Sequence, residues 1–430
     1  MTVRLNSSDP DFESRFEDVL SMKREQDSDV TQAAQEIINQ IRENGDTALF
    51  ALTEKYDRFA LTRDNLAFSK ADIEAAKDRL EAADKTALQA AADRIAAYHH
   101  RQRPQDDFYT DDAGVQLGHK WTPVSAAGLY VPGGTASYPS SVLMNAIPAK
   151  VAGVGRLVMV VPTPDGAVND LVLAAADLAG VDEIYRIGGA QAVAALAYGT
   201  RSIAPVDVIT GPGNAYVAAA KRLVFGQVGI DMVAGPSEIL VVADGANDPD
   251  WIAADLLSQA EHDTAAQSIL LTDDADFADA VLAAVDRQLA SLPRRDIAGQ
   301  SWTDFGVVIT VPDLQQAVGL IDRLAPEHLE LAIEDPQEMV SKITNAGAIF
   351  MGRYTPEAIG DYVAGPNHVL PTAHTARYAS GLSVLDFMKR SSLVSCDADS
   401  LAAIGPHAVR LAEREGLDAH ARSVSIRLNK

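Results

Sequence analysis

Three groups of residues in this chain could do chemistry. The first is Glu327-His328 in the segment RLAPEHLEL. An imidazole titrates near neutrality, so a histidine with a neighbouring carboxylate can share general acid–base work. Both follow Pro326, which predicts a turn or a helix start, and neighbours in sequence need not meet in space. A capping glutamate beside a partly buried histidine would look the same. The second group is dispersed: Gln259 and His262 in LLSQAEHD, Asp361 in IGDYVAGPNH, and His420 in EGLDAHARS. Positions i and i+3 share a helix face, so Gln259 and His262 could reach one ion. The glycine-rich loop around Asp361 could set its carboxylate in a cleft. Together the four would make an N/O site without sulfur, suited to Zn, Mn or Co. No HExxH occurs, so a zincin protease is not indicated. The third group is the turn GPGNAYVAAAK, with Gly211, Gly213 and Asn214 between a strand pattern and a helix pattern. Glycine permits close backbone approach, and a helix N-terminus attracts phosphate. The dinucleotide fingerprint needs a third glycine where this chain has Tyr216, so a plain tight turn fits as well. There is no GxxxxGK[ST] phosphate loop. GLYVPGGTASYPSS adds glycines near Tyr130 and Tyr138.

These groups need a scaffold. Residues 1 to about 105 read as helical: SDVTQAAQEIINQIRENGDTALFALTEKYD has helical spacing, with Asp29 or Thr31 as cap and Gly45 as stop. ADIEAAKDRLEAADKTALQAAADRIAAYHH predicts one further long helix, ended by His99 and His100 in a structural role. From Gly128 short apolar runs (GLYV, RLVMVV, EIYRI, DVIT, EILVVAD, QSILLT, GVVITV, GAIFMG) alternate with helix patterns. Such alternation predicts βαβ units and a parallel sheet. Asp248 with Pro249 predicts a helix start ahead of Gln259. After about residue 380 the pattern weakens. SLAAIGPHAVRLAEREG predicts a helix closed by Gly416, while VSIRL could be a short strand or a helix end.

Composition narrows the function. A chain of 430 residues is too long for one small module, and at roughly 150 residues per domain it suggests about three units. Acidic residues outnumber basic ones 60 to 36, giving net charge -24, which argues against a nucleic-acid partner. The single cysteine, Cys396, rules out an intrachain disulfide and a cysteine-held metal cluster. The N-terminus carries no apolar signal segment. The most apolar stretch, Val142 to Val161, is broken by Asn145, Lys150 and Arg156, so no membrane span is expected. The expectation is a cytoplasmic enzyme that contacts no membrane.

At these residues the chain resembles the histidinol dehydrogenases. The resemblance runs through GLYVPGGTASYPSSVLMNAIPAKVAGV, GGAQAVAALAYGT, VITGPGNAYVAAAKR, IDMVAGPSE, LLSQAEHD, PEHLEL, IGDYVAGPNHVLPT, SGLSVLDFMKR and EGLDAHARSV, from about residue 128 to the C-terminus. It implies oxidation of L-histidinol to L-histidine through bound L-histidinaldehyde, with two NAD molecules as hydride acceptors. It implies one Zn2+ per subunit held by Gln259, His262, Asp361 and His420. Glu327 and His328 become the catalytic pair, His328 as general base and Glu327 activating water. Substrate contacts fall on Ser237 and Glu415 besides His328 and the metal ligands, and NAD contacts on Tyr130, Gln191 and Asn214. The implied architecture is α/β: two incomplete Rossmann-like parallel-sheet domains in an intertwined homodimer. It comprises a helical arm (1–24), a metal-carrying α/β domain (25–127 and 238–380), an NAD-binding domain (128–237), and a tail (381–430) that completes the partner's site. A zinc- and NAD-dependent dehydrogenase of another polar alcohol is the alternative. The intact PEHLEL, Ser237 and EGLDAHA segments argue against it.

Overall fold

The computed structural model describes residues 2–22, 28–133 and 138–428. Part of GLYVPGGTASYPSS, residues 134–137, therefore lies outside the description. The strands, in chain order, are β1 (Val3–Asn6), β2 (Asp107–Thr110), β3 (Gln116–Pro123), β4 (Ala126–Tyr130), β5 (Arg156–Val160), β6 (Glu183–Tyr185) and β7 (Val208–Thr210). They continue with β8 (Gly229–Ile230), β9 (Glu238–Ala243), β10 (Gln267–Thr272), β11 (Val307–Thr310), β12 (His328–Ala332), β13 (Ala348–Met351) and β14 (Met388–Ser395).

Two sheets are wholly parallel. One runs β6-β5-β4-β7-β8 and the other β1-β11-β10-β9-β12-β13. Their central strands are buried along their whole length, as helices on both faces require, which is why most of them, though not β12, read as largely apolar runs. The smaller sheet has the 3-2-1-4-5 order of a dinucleotide-binding sheet and lacks its sixth strand. Its switch point lies between β4 and β7, beside the GPGN turn.

The helical N-terminal region divides differently from expectation. The first 22 residues are not a purely helical arm: β1 joins the six-stranded sheet against β11, and the helix Phe12–Ser21 buries Phe12 and Phe16 under that sheet. The helices Ser28–Asn44 and Asp46–Asp57 bury Ile37, Ile41, Leu49 and Leu52 against Val158, Val160 and Ile209. They cover one face of the five-stranded sheet and not of the six-stranded one, which differs from the expected grouping of residues 25–127 with 238–380. Asp29 and Thr31 lie within the first of these helices and do not cap it. The single helix expected over residues 71–100 is two, Lys70–Arg79 and Ala82–His100, separated by extended Leu80 and Glu81. The break lets Ala76 and Ile95 enter one core with Met144 and Leu173. His99 is structural: it is fully buried, with Nδ1 on the Ile95 carbonyl at 2.8 Å. Asp248 caps its helix as expected, accepting from the Asp250 N–H.

A third sheet, antiparallel β14-β3-β2, had no sequence signal. Its strands are largely exposed, so no buried alternating face marks them. Beyond it stand the helices Ala398–Arg414 and Asp418–Leu428, packed on each other. VSIRL belongs to the second of them, and Gly416 at φ +73° makes the turn between. Ile404, Leu411, Leu417 and Ile426 are left exposed on this pair. Among the described residues no helix is long and apolar enough to cross a membrane.

Candidate active site

His328 opens β12, so it stands at the amino end of a central strand and not at a turn or helix start. The expectation failed because the strand runs through a charged residue, Glu330, which is buried. In the parallel register His328 faces Ile239 of β9. The carbonyl of Glu238 therefore lies within reach, 2.9 Å from Nδ1. A carbonyl only accepts, so Nδ1 carries the proton and Nε2 is left with its lone pair. Nε2 is buried, makes no hydrogen bond among the described residues, and lies 4.0 Å from Asp361 Oδ1. Burial pushes the His328 imidazole down to about 4, against the opposing pull of the Asp361 charge. It is a neutral base at pH 7.

Glu327 is buried beside it. Its Oε2 accepts the Glu238 N–H at 2.9 Å and lies 3.7 Å from His328 Nδ1. Two buried carboxyls not singled out from the sequence complete the surroundings. Glu357, at the start of the short helix Glu357–Tyr362, brings Oε1 to 3.2 Å from His328 Nδ1. Burial and the charges of Asp361, Glu327, Glu330 and Asp255 hold its carboxyl well above the ordinary range. Behind it Glu330 hydrogen-bonds Asp255, and burial raises both, Asp255 to about 6.

Gln259 ends the helix Pro249–Ala260, fully buried, and His262 sits in the exposed turn just beyond. The helix stops before His262, yet the pair meets: Gln259 Nε2 is 3.2 Å from His262 Nδ1. Gln259 Oε1 is buried without a partner. His262 is near enough to depress both His328 and His368. His368 is a further site residue that sequence reasoning missed. Its Nδ1 bonds the Asp361 carbonyl at 2.9 Å and its Nε2 faces Ser141 Oγ at 3.2 Å. The signal was present, since Asp361 and His368 stand seven apart in IGDYVAGPNHVLPT. Ser141 belongs to the helix Pro139–Ala152 over the five-stranded sheet, so the site lies where the two sheets meet. Ser237 is half-buried just before β9.

His420 and Glu415 do not join this cluster in the same chain. They line a groove of the C-terminal helix pair with Leu411 and Leu417. Among the described residues, one set of His, Cys, Asp and Glu side chains brings donor atoms within 4.8 Å of one another: His328, Glu357 and Asp361. Asp361 is common to that set and to the expected ligands. Buried oxygens without a partner occur at both Gln259 (Oε1) and Glu357 (Oε1 and Oε2), so donor atoms able to face an ion are present in each set.

The expected NAD residues gather at the carboxyl ends of the five-stranded sheet. Tyr130 ends β4, and its buried hydroxyl accepts the Gly189 N–H at 3.0 Å. Gln191 is buried in the helix Gly189–Tyr198. Asn214 caps the helix Ala215–Val224 through the Val217 N–H. Gly211 stands at φ +110°, and a side chain there would strike the Tyr130 carbonyl. Glycine at 211 thus lets the turn pass close to the Tyr130 backbone at the sheet's switch point. Tyr216, at the third-glycine position, is half-exposed.

Cys396 is exposed beyond β14, outside both clusters. Cys396→Ser should leave turnover unchanged; selective loss of an aldehyde-oxidising step would instead point to a covalent thiol route.

The chain is similar throughout to proteins with one activity. The family model described as histidinol dehydrogenase matches residues 20–428. The histidinol dehydrogenase of Ruegeria pomeroyi is 63% identical over 426 residues, covering 99% of this chain and 98% of that protein. That of Rhodospirillum rubrum is also 63% identical, over 431 residues, covering 100% and 99%. The crystal structure of histidinol dehydrogenase from Elizabethkingia anophelis superposes with a TM-score of 0.94 at 36% identity, covering 99% and 98%. With buried acid–base groups and metal-type donors at the junction of two parallel sheets, and this likeness along its whole length, the chain belongs to the histidinol dehydrogenase family of oxidoreductases.

Proposed function

We propose that this protein oxidises L-histidinol to L-histidine through L-histidinaldehyde, with His328 as general base and Glu327 as the group that activates water. The observation that carries the reading is the His328 environment. The Glu238 carbonyl fixes the proton on Nδ1, so Nε2 is a buried acceptor beside Asp361, ready for an alcohol proton. An imidazole kept neutral by burial can take that proton in each of two successive oxidations, provided it is relieved of it in between.

NAD, when bound, accepts the hydride that an alcohol or hydrated aldehyde gives up. Tyr130, Gln191 and Asn214 would hold it at the switch point. Zinc, when bound, would supply a Lewis acid that grips nitrogen donors of the substrate. Gln259, His262 and Asp361 would hold the ion, and His420 would be contributed by the C-terminal helices of a second subunit. The exposed apolar side chains of that helix pair support such a shared homodimeric site. Ser237 and the partner-supplied Glu415 would meet the substrate, fixing its carbon chain against the nicotinamide side of the site.

The aldehyde must be hydrated before its hydride can leave. Glu327 accepts the Glu238 N–H at 2.9 Å, which fixes its carboxylate beside His328, where it would act on the water that adds to the aldehyde. Glu327→Gln should therefore slow oxidation of supplied histidinaldehyde, about 10²-fold or more for a lost general base. Equal rates for variant and parent on the aldehyde would count against that role.

The whole reading is tested by mixing zinc-loaded protein with limiting L-histidinol and excess NAD. Two NADH per histidinol, with histidine as product, is the expected result. One NADH per histidinol would mean that the aldehyde is released. None would favour another polar alcohol as substrate.

A further inference from the structure

In a dinucleotide-binding sheet the adenosine ribose is received at the carboxyl end of the strand beside the first one, away from the switch point, by an acid that accepts from the 2′-hydroxyl. In the order β6-β5-β4-β7-β8 that neighbouring strand is β5. The residues after it, Val161-Pro162-Thr163-Pro164, include no acid. One arrives from the N-terminal helices instead. Asp57 is the last residue of the helix Asp46–Asp57, which packs on the turn Pro164–Gly166 that follows β5. Its carboxylate lies close enough to the Thr163 backbone, just past β5, for that N–H to favour its charged form. Its charge is felt by the Tyr130 hydroxyl, at the end of β4.

Asp57 is 9% exposed, and its Oδ2 has no hydrogen-bond partner among the described residues. The adjacent Thr163 Oγ1 is buried and equally unpartnered. Arg58 does not fill the gap, because its guanidinium is committed to Asp165 through two bonds of 2.8 and 2.5 Å. Arg58 and Asp165 both hold left-handed backbone, at φ 54° and 55°. Two such turns locked by one ion pair are a cost carried where position matters, and here they hold Asp57 at the strand end. A buried carboxylate oxygen without a donor is costly unless a ligand supplies one. A hydroxyl satisfies it; a phosphate brings like charge.

We propose that Asp57 accepts the adenosine-ribose hydroxyls of the dinucleotide and thereby selects NAD over its 2′-phosphorylated form. This rests on the NAD reading above and adds to it the residue that sets cofactor choice. Asp57 acts on the adenosine half, so it contributes to dinucleotide binding and not to the hydride step.

Calorimetric titration tests it, with NAD, NADP, ADP-ribose and nicotinamide mononucleotide as probes of the parent, Asp57→Asn and Asp57→Ser. The parent should bind NAD and ADP-ribose, and NADP about 100-fold more weakly, as expected of like charges brought together. Each substitution should weaken NAD and ADP-ribose by about 10- to 100-fold, the value of a hydrogen bond to a charged group. Nicotinamide mononucleotide binding should not move, and the NAD-to-NADP ratio should narrow. Asp57→Asn keeps the side-chain shape and removes only the charge, so the comparison stands even if Asp57→Ser folds poorly. A parent that binds NAD, with the NAD-to-NADP ratio unchanged in Asp57→Asn, would overturn the role of Asp57 alone. A parent that binds neither NAD nor ADP-ribose would overturn the NAD reading and this inference with it.

Discussion

Replacing His328 by Asn should lower the rate of histidinol oxidation by roughly 10²–10⁴-fold, the usual loss when a general base is removed. This corresponds to about 3–5 kcal/mol of barrier. Asn can still donate to the Glu238 carbonyl, which His328 Nδ1 reaches at 2.9 Å, so the local fold should hold. What disappears is the lone pair of Nε2, the atom left without a partner beside Asp361. The measurement is NADH production at saturating histidinol and NAD, and near-full activity would refute the assignment. A second readout separates the base from a packing role. The folded imidazole titrates at about 4 and its ordinary value is 6.5. Between those values the unfolded chain takes up a proton that the native site refuses. This contribution to stability is present above pH 6.5 and is lost as pH falls toward about 4. His328→Asn removes the group, so the urea midpoint of the variant should fall less steeply than the parent's across that window.

The second large effect is on stability. Lys221→Met should cost about 3–5 kcal/mol, because it leaves a buried carboxylate without its counter-charge. Lys221 and Asp231 form an ion pair with side chains 3% and 1% exposed. The pair is fully engaged: Lys221 Nζ also donates to the Gly211 carbonyl at 2.9 Å, while Asp231 accepts from the Gly211 N–H at 2.8 Å and from the Met232 N–H at 2.6 Å. Both polar groups of Gly211 are thus gripped by one ion pair, in the turn that meets Tyr130. Urea unfolding monitored by circular dichroism should show a clearly lower midpoint for Lys221→Met. A midpoint equal to the parent's would mean that the pair contributes nothing in solution.

These two residues differ in how visible they were. His328 stands out in PEHLEL as a titratable group beside a carboxylate. Lys221 in AAAKRLVFG reads only as a salt-bridged or solvated lysine, because nothing local announces which acid it meets, Asp231, ten residues later across a strand. The same contrast holds across the fold. The parallel strands were legible because burial on both faces forces unbroken apolar runs, as in RLVMV and EILVVA. The sheet β14-β3-β2 was not, since strands such as MKRSSLVS are held by backbone pairing alone and expose their side chains.

What the amino-acid order settles here is therefore local: helix periods, buried strands, the Asp248 cap, the broken glycine fingerprint, and the residue types able to bind a metal or move a proton. Their partnerships depend on folding. His328 becomes a neutral base only because strand register sets the Glu238 carbonyl against Nδ1 and buries Nε2. Glu357, Glu330 and His368 become site residues only when distant segments converge and desolvate them. The helices of residues 28–57 reach the five-stranded sheet rather than the six-stranded one, and with them comes Asp57. Proton affinity and ligand choice are set by burial and by neighbours far away in sequence, and both arise from the packed chain rather than from any single segment.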